Sequence, residues 1–240
     1  MVQDVQGQYS FRLEGRVVSI KFRRNPRAKK IVLRLLRARK VEEEDGIVVT
    51  LPLGLNKKDG IRFAEEKKSW IAQNISKLPS LIIFEDGALV PYMGIEHKIV
   101  HEPNIKHGVW RDGAFIYVSG RREFLGRRLT NWFKREAYKI ITNYVIDKTR
   151  LTNKRVGKIS IRDTRSRWGS CSSSSNLSFS WRLIMAPEFV LDYVVAHEVA
   201  HTLEHNHSPN FWKLTRELCG DMEKAKAWLK NYGELLHRYI

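Results

Sequence analysis

The sequence predicts an α+β protein, strand-rich in its N-terminal part and helix-dominated towards its C-terminus. Two observations carry this prediction. The first half holds short β-branched runs bounded by Gly, Pro and charged turn residues, whereas residues 122–149 and 187–205 repeat apolar side chains at helical spacing. A third observation sets the scale: 240 residues with 42% hydrophobic content are ample for a packed core and fit one large domain or two small ones.

The elements follow in order. VVSIKF (17–22), KIVLRLL (30–36) and GIVVTLP (46–52) read as strands, and Asp45-Gly46 is a turn dipeptide consistent with a hairpin between the second and third. An incomplete apolar stripe made of Ile61, Phe63, Ala64, Trp70, Ile71 and Ile75 predicts a helix over 59–78. SLIIFE, ALVPYMG, EHKIVHE and AFIYVSG form a second strand group ending near Gly120. A long amphipathic helix over 122–149 follows, so the reading places the domain boundary near 120: a strand-rich domain over 1–120 and a second domain over 121–240. KISIRDTRS (158–166) and LSFSWRLIMA (177–186) read as strands of a small antiparallel sheet, joined through the polar turn CSSSSN. Pro187 then opens the next helix at the first-turn position where Pro is tolerated.

Two cysteines, Cys171 and Cys219, make no disulfide framework, which points to a reducing, cytoplasmic location. The chain shows no signal-peptide pattern at Met1–Glu14 and no apolar run near 18 residues, so secretion and a membrane partner are disfavoured. Forty-three Lys and Arg against 26 Asp and Glu give a net charge of +17. The stretch Lys21–Lys40 carries ten basic residues and no acid. Such a run is either a solvated surface or a patch for nucleic acid or another polyanion.

The chemistry concentrates in HEVAHTLEHNHS (197–208). His197 and His201 are four apart, one turn above one another on a single helix face, so both imidazoles can reach one ion. Glu198 beside the first can reach water at that ion and act as general base, the H-E-x-x-H pattern of zinc hydrolases. At this composition the pattern arises by chance in roughly two per cent of such chains, so a metal site is the reading to carry forward. His205 would lie about 12 Å along the helix from His197, too far to join the same ion. Asn206 is the expected helix terminator in a left-handed conformation, and Ser208-Pro209 reads as the cap and first turn of a new helix. His207 therefore sits in a tight turn, free to fold back as third ligand, with Glu217 or Glu223 as the alternative. Zn²⁺ is the expected cofactor, and peptide hydrolysis the expected reaction. Tyr193 and Arg182 are candidate oxyanion donors.

HEVAHTLEHNHSPNFW, with RSRWGSCSSSSNLSFSWRLIMAPEFVLDYVVAHE upstream, resembles the YgjP-like (DUF45) zinc metallopeptidases, relatives of the SprT-like and WLM zincins. Lys67, Trp70 and Ile71 also suit that family. The resemblance implies a zincin-like metallopeptidase domain, with His197, His201 and His207 as ligands, Glu198 as base and a peptide or protein substrate. It further implies a sheet edge beside the metal, so that Arg167–Cys171 would line the cleft; otherwise Trp168 packs in the core and Gly169 serves a bend. A zinc hydrolase of a small anion such as a nucleotide phosphoanhydride, or a protease acting near nucleic acid, is the alternative function.

Overall fold

The computed structural model describes residues 3–5, 8–13, 16–38, 43–164 and 166–240. They fall into two compact units, Met1–Leu81 and Ile82–Ile240. Arg39 and Lys40 at the end of the basic run, and Arg165 at the start of the family-like stretch, lie outside the described residues.

The first unit is a mixed sheet with helices on one face. Its strands are β1 (Gln3–Val5), β2 (Gln8–Leu13), β3 (Arg16–Arg24), β4 (Val32–Leu36) and β5 (Gly46–Leu51), in the order β1-β2-β3-β5-β4. β3 and β5 run parallel, and β4 is antiparallel to β5, as the Asp45-Gly46 turn predicts. Strand alternation sends Val18, Ile20, Ile47, Val49 and Leu51 to one side, where they pack with Ala64, Ile71 and Ile75 of the helices. The predicted helix over 59–78 is two helices, α1 (Lys57–Glu66) and α2 (Lys68–Ser76), because the backbone at Lys67 leaves helical geometry at ψ 12°. A reciprocal capping box starts α1: Asn56 Oδ1 accepts from the Asp59 amide at 3.2 Å, and Asp59 Oδ2 accepts from the Asn56 amide at 2.8 Å.

The second unit begins with β6 (Leu89–Tyr92), β7 (Ile95–Glu102), β8 (Val109–Asp112) and β9 (Phe115–Ser119), a mixed sheet in the order β6-β7-β9-β8. SLIIFE is not a strand of it and makes only a bridge between Ile82 and Tyr239. The long helix α3 (Leu125–Thr152) is present as expected, buried along Leu125, Leu129, Trp132, Phe133, Ala137, Ile141 and Val145. It shares one core with Val90, Ile99, Ile116 and Val118 of the sheet. That shared core is why the compact units divide at 81/82, whereas the sequence reading places the boundary near 120. A change from strand to helix texture marks where local structure changes, and burial decides which elements belong together.

Beyond α3, the strands β10 (Ile159–Arg162), β11 (Gly169–Cys171) and β12 (Leu177–Ser180) form a sheet in the order β10-β12-β11. The expected antiparallel sheet is mixed. β10 runs parallel to β12, because β11 intervenes in sequence and takes the antiparallel hairpin position through the serine turn. LSFSWRLIMA is strand only to Ser180 and then turns as a 3-10 helix, Trp181–Met185. The turn residues Met93 and Gly94, both at positive φ, donate their amides to Ile184 O at 2.7 Å and Met185 O at 3.3 Å. A Cβ at Gly94 would meet Pro187 Cα at 2.7 Å. The β6–β7 hairpin thus abuts the residues that lead into helix α4 (Glu188–Ala200), followed by α5 (Pro209–Leu218) and α6 (Met222–Leu236). Among the described residues, no helix is long and apolar enough to cross a membrane.

Candidate active site

α4 is apolar around its circumference, and it is buried from Val190 through Ala200 save at Asp192 and His197. The helix stops sooner than predicted. Ala200 is its last residue, and the amides of Leu203 and Glu204 turn back onto Ala200 O at 3.1 and 2.9 Å. Thr202 helps by donating its hydroxyl to Val199 O at 2.7 Å. Asn206 is not the left-handed terminator: the non-glycine residues at positive φ are Met93, Asn153 and Ser175 among those described. Its side chain instead accepts from the Ser208 amide at 3.2 Å. Ser208 caps α5 as predicted, its hydroxyl accepting from the Phe211 amide at 3.2 Å, with Pro209 in the first turn.

This turn brings His207 back over the end of α4. One ring nitrogen from each of His197, His201 and His207 lies within 4.8 Å of the other two. A tetrahedral ion with metal–nitrogen bonds of about 2.0–2.1 Å holds its ligands roughly 3.3–3.4 Å apart, and His197 Nε2 and His207 Nε2 stand 3.3 Å apart. His201 donates its Nδ1–H to Glu204 O at 3.0 Å, which leaves Nε2 as the lone pair. Burial, then repulsion from the other two imidazoles, lowers the His197 pKa to about 4, and burial lowers that of His201. Neutral imidazoles are the form a cation binds. The donor set therefore fits a divalent metal.

Phe211, fully buried, forms the floor of this cluster, with ring centroids 4.9, 4.5 and 4.7 Å from those of His197, His201 and His207. Trp212 stacks on His207 at 5.3 Å. Apolar rings beneath the imidazoles hold their orientation and keep water from one side.

Glu198 is 5% exposed, yet it lines the same cleft of about 570 Å³ as the three histidines. Burial raises its pKa to about 7, against the opposing pull of Arg167. The opposite wall is Arg167, Gly169, Ser170, Cys171, Ser172 and Ser173, so β11 and its following turn flank the cleft. Both readings of this stretch hold in part: Arg167 and Gly169–Cys171 line the cleft, whereas Trp168 stacks on His237 at 4.8 Å. Gly169 is needed for more than a bend, because its missing side chain makes room for the Glu198 carboxylate. Ser172 and Ser173, read from sequence only as loop, were legible as wall residues once WGSC was placed at a sheet edge.

Other candidates are placed elsewhere. Glu217 and Glu223 are not in the histidine cluster, and Glu223 pairs with Lys226 at 3.1 Å. His205 is exposed at the cleft margin. Arg182 is no oxyanion donor: its Nη1 is committed to Leu236 O at 2.7 Å and Tyr239 O at 2.8 Å, and its Nε to Asp163 at 3.2 Å. Tyr193 meets His197 edge-on at 5.9 Å and is not among the cleft-lining residues. Burial and the neighbouring Glu198 push the Cys171 thiol up, away from the reactive thiolate.

Fold and donor set define a class: an α+β protein with three convergent imidazoles at the end of a buried helix. The model of the YgjP-like metallopeptidase domain matches residues 37–232, and the chain belongs to that family. It is therefore a metallohydrolase. The chain is also similar to the metallopeptidase zymogen of Methanocaldococcus jannaschii jannalysin, whose crystal structure overlaps 40% of this chain and 96% of its own at 22% identity and a TM-score of 0.34. No curated protein matches the chain.

Proposed function

We propose that this protein is a zinc-dependent peptidase in which His197, His201 and His207 hold the ion and Glu198 is the general base. The observation that carries the reading is a carboxylate, buried and raised to a pKa of about 7, on the wall of the cleft that the three imidazoles share. When bound, the ion supplies Lewis acidity, which makes water nucleophilic near neutral pH and polarises a carbonyl. Glu198 accepts the proton of the attacking water and delivers it to the leaving amine, a task suited to a group titrating near the working pH. β11 is an edge strand, and its free side can pair with an extended peptide through main-chain hydrogen bonds. Two free thiols, Cys171 and Cys219, support a reducing cytoplasmic setting.

The test is Glu198→Gln, assayed for metal content and for turnover of denatured casein. The variant is expected to keep one zinc per chain and to lose turnover by roughly 10²–10⁴-fold. Retained turnover removes Glu198 as the base, and absence of metal in the wild type removes the metal assignment. Arg167 in the cleft supports a second reading, hydrolysis of a small anion such as a nucleotide phosphoanhydride. Nucleoside triphosphates assayed beside casein separate the two.

A further inference from the structure

Charge in the first unit is sorted by face. The helical layer carries both signs: Lys57, Lys58, Arg62, Lys67 and Lys68 alternate with Asp59, Glu65 and Glu66. The opposite face of the sheet carries one sign. Arg12 on β2, Lys21 and Arg23 on β3, and Arg34 on β4 are all exposed, and each alternates with residues of the packed side. Register places Lys21, Arg23 and Arg34 together, with Arg12, opposite Val17, about 13 Å further along β3. Lys21 and Arg34 flank Val48 from either side, and Arg23 lies opposite Thr50. Lys21 and Arg23 are therefore about 6.6 Å apart along the strand, and Lys21 and Arg34 about 10 Å apart across two strand spacings. No carboxylate occupies a described outward strand position, and these four cations have no acidic partner among the described residues. The ordered turn after β3 adds exposed Arg27, Lys29 and Lys30 at the Arg23 end. All of these precede residue 37, where the family match begins, so the metallopeptidase domain does not account for them.

We propose that this open sheet face binds a nucleic-acid duplex through its phosphate backbone. A flat array of fixed cations matches a regular polyanion, whose charges recur every ~1.7 Å of duplex axis. The chemistry favours a duplex over a single strand, because no described outward position on this face carries an aromatic ring. Tyr9 and Phe22 instead pack edge to face in or against the core cluster, so the face offers no platform for unpaired bases. Its outward apolar residues are the aliphatic Val17, Val32, Leu36 and Val48, interspersed with the cations, and it carries none of the aromatic rings that anchor a protein at a lipid surface. Binding is accordingly independent of sequence.

The test uses the full chain and a fluorescent DNA duplex of about 20 base pairs, titrated at several salt concentrations. Four phosphate contacts predict a log–log salt slope of about −3.6, so affinity falls roughly 150-fold between about 50 and 200 mM salt. Lys21→Ala/Arg23→Ala/Arg34→Ala should flatten the slope by about 3, one per contact removed. Two further variants separate this face from net charge. Lys58→Ala/Arg62→Ala/Lys68→Ala, with the same charge change on the helical layer, should keep the wild-type slope, and the charge-retaining Lys21→Arg/Arg23→Lys/Arg34→Lys should bind as the wild type does. Equal losses in the two alanine triples overturn the proposal, as does tighter binding to single-stranded DNA or to anionic lipid vesicles than to the duplex.

Discussion

A methyl group at Gly169 would lie 2.5 Å from both Cγ and Oε1 of Glu198. The strand wall and the carboxylate fit only because that side chain is absent.

Gly169→Ala should therefore displace the carboxylate while leaving the histidines in place. Misplacing a catalytic group by about 1 Å costs roughly 100-fold in rate, so kcat/KM for casein should fall by about that factor with zinc content unchanged. Activity of Gly169→Ala within twofold of wild type would falsify the steric account.

The two histidines of the turn are expected to behave differently. His207 Nε2 stands 3.3 Å from His197 Nε2, whereas His205 is exposed at the margin. His207→Ala should weaken zinc binding by well over the roughly 10–100-fold typical of losing a supporting partner. His205→Ala should change it by no more than a few-fold. Competition with a chromogenic chelator measures both, and equal losses would reassign the third ligand.

Burying Glu198 destabilises the metal-free protein at neutral pH. Its pKa is about 7 in the folded chain against an ordinary 4.5, so the folded state holds a proton that the unfolded state has released across that window. Stability contributed by this group consequently falls as pH rises from 4.5 to about 7, by on the order of 3 kcal/mol. Glu198→Gln has no such titration. With EDTA present, urea unfolding should show the variant gaining on the wild type as pH rises through that window, with a flat difference above it. A difference independent of pH would mean that the carboxylate is solvated in solution.

Helix α4 is clamped from behind by Lys148, 6% exposed, whose Nζ lies 2.5 Å from Asp192 and 2.5 Å from Leu218 O. Lys148→Ala strands both partners and should cost about 3 kcal/mol in urea unfolding. Lys148→Met/Asp192→Leu replaces the pair by apolar packing and should recover most of that loss; a double variant as unstable as the sum of the singles would show the two residues acting separately.

Local signals were sufficient for part of this protein. The i, i+4 spacing of His197 and His201, the Ser208-Pro209 helix start and the long stripe of α3 depend on residues near in sequence, and each is found where predicted. Placing His207 needed only a short turn, so its return was legible too, although the turn closes by the carbonyl of Ala200 and the Thr202 hydroxyl rather than a left-handed Asn206. What only the tertiary structure decided depends on residues far apart in sequence. The strands over 89–119 share their core with α3, which moves the unit boundary to 81/82. β10 pairs parallel with β12 because β11 takes the hairpin position. Arg182 is spent on carbonyls more than fifty residues away in sequence. Above all, Gly169 and Glu198 meet across a strand and a helix: periodicity places each on its own element, and only packing makes the empty space of one the seat of the other.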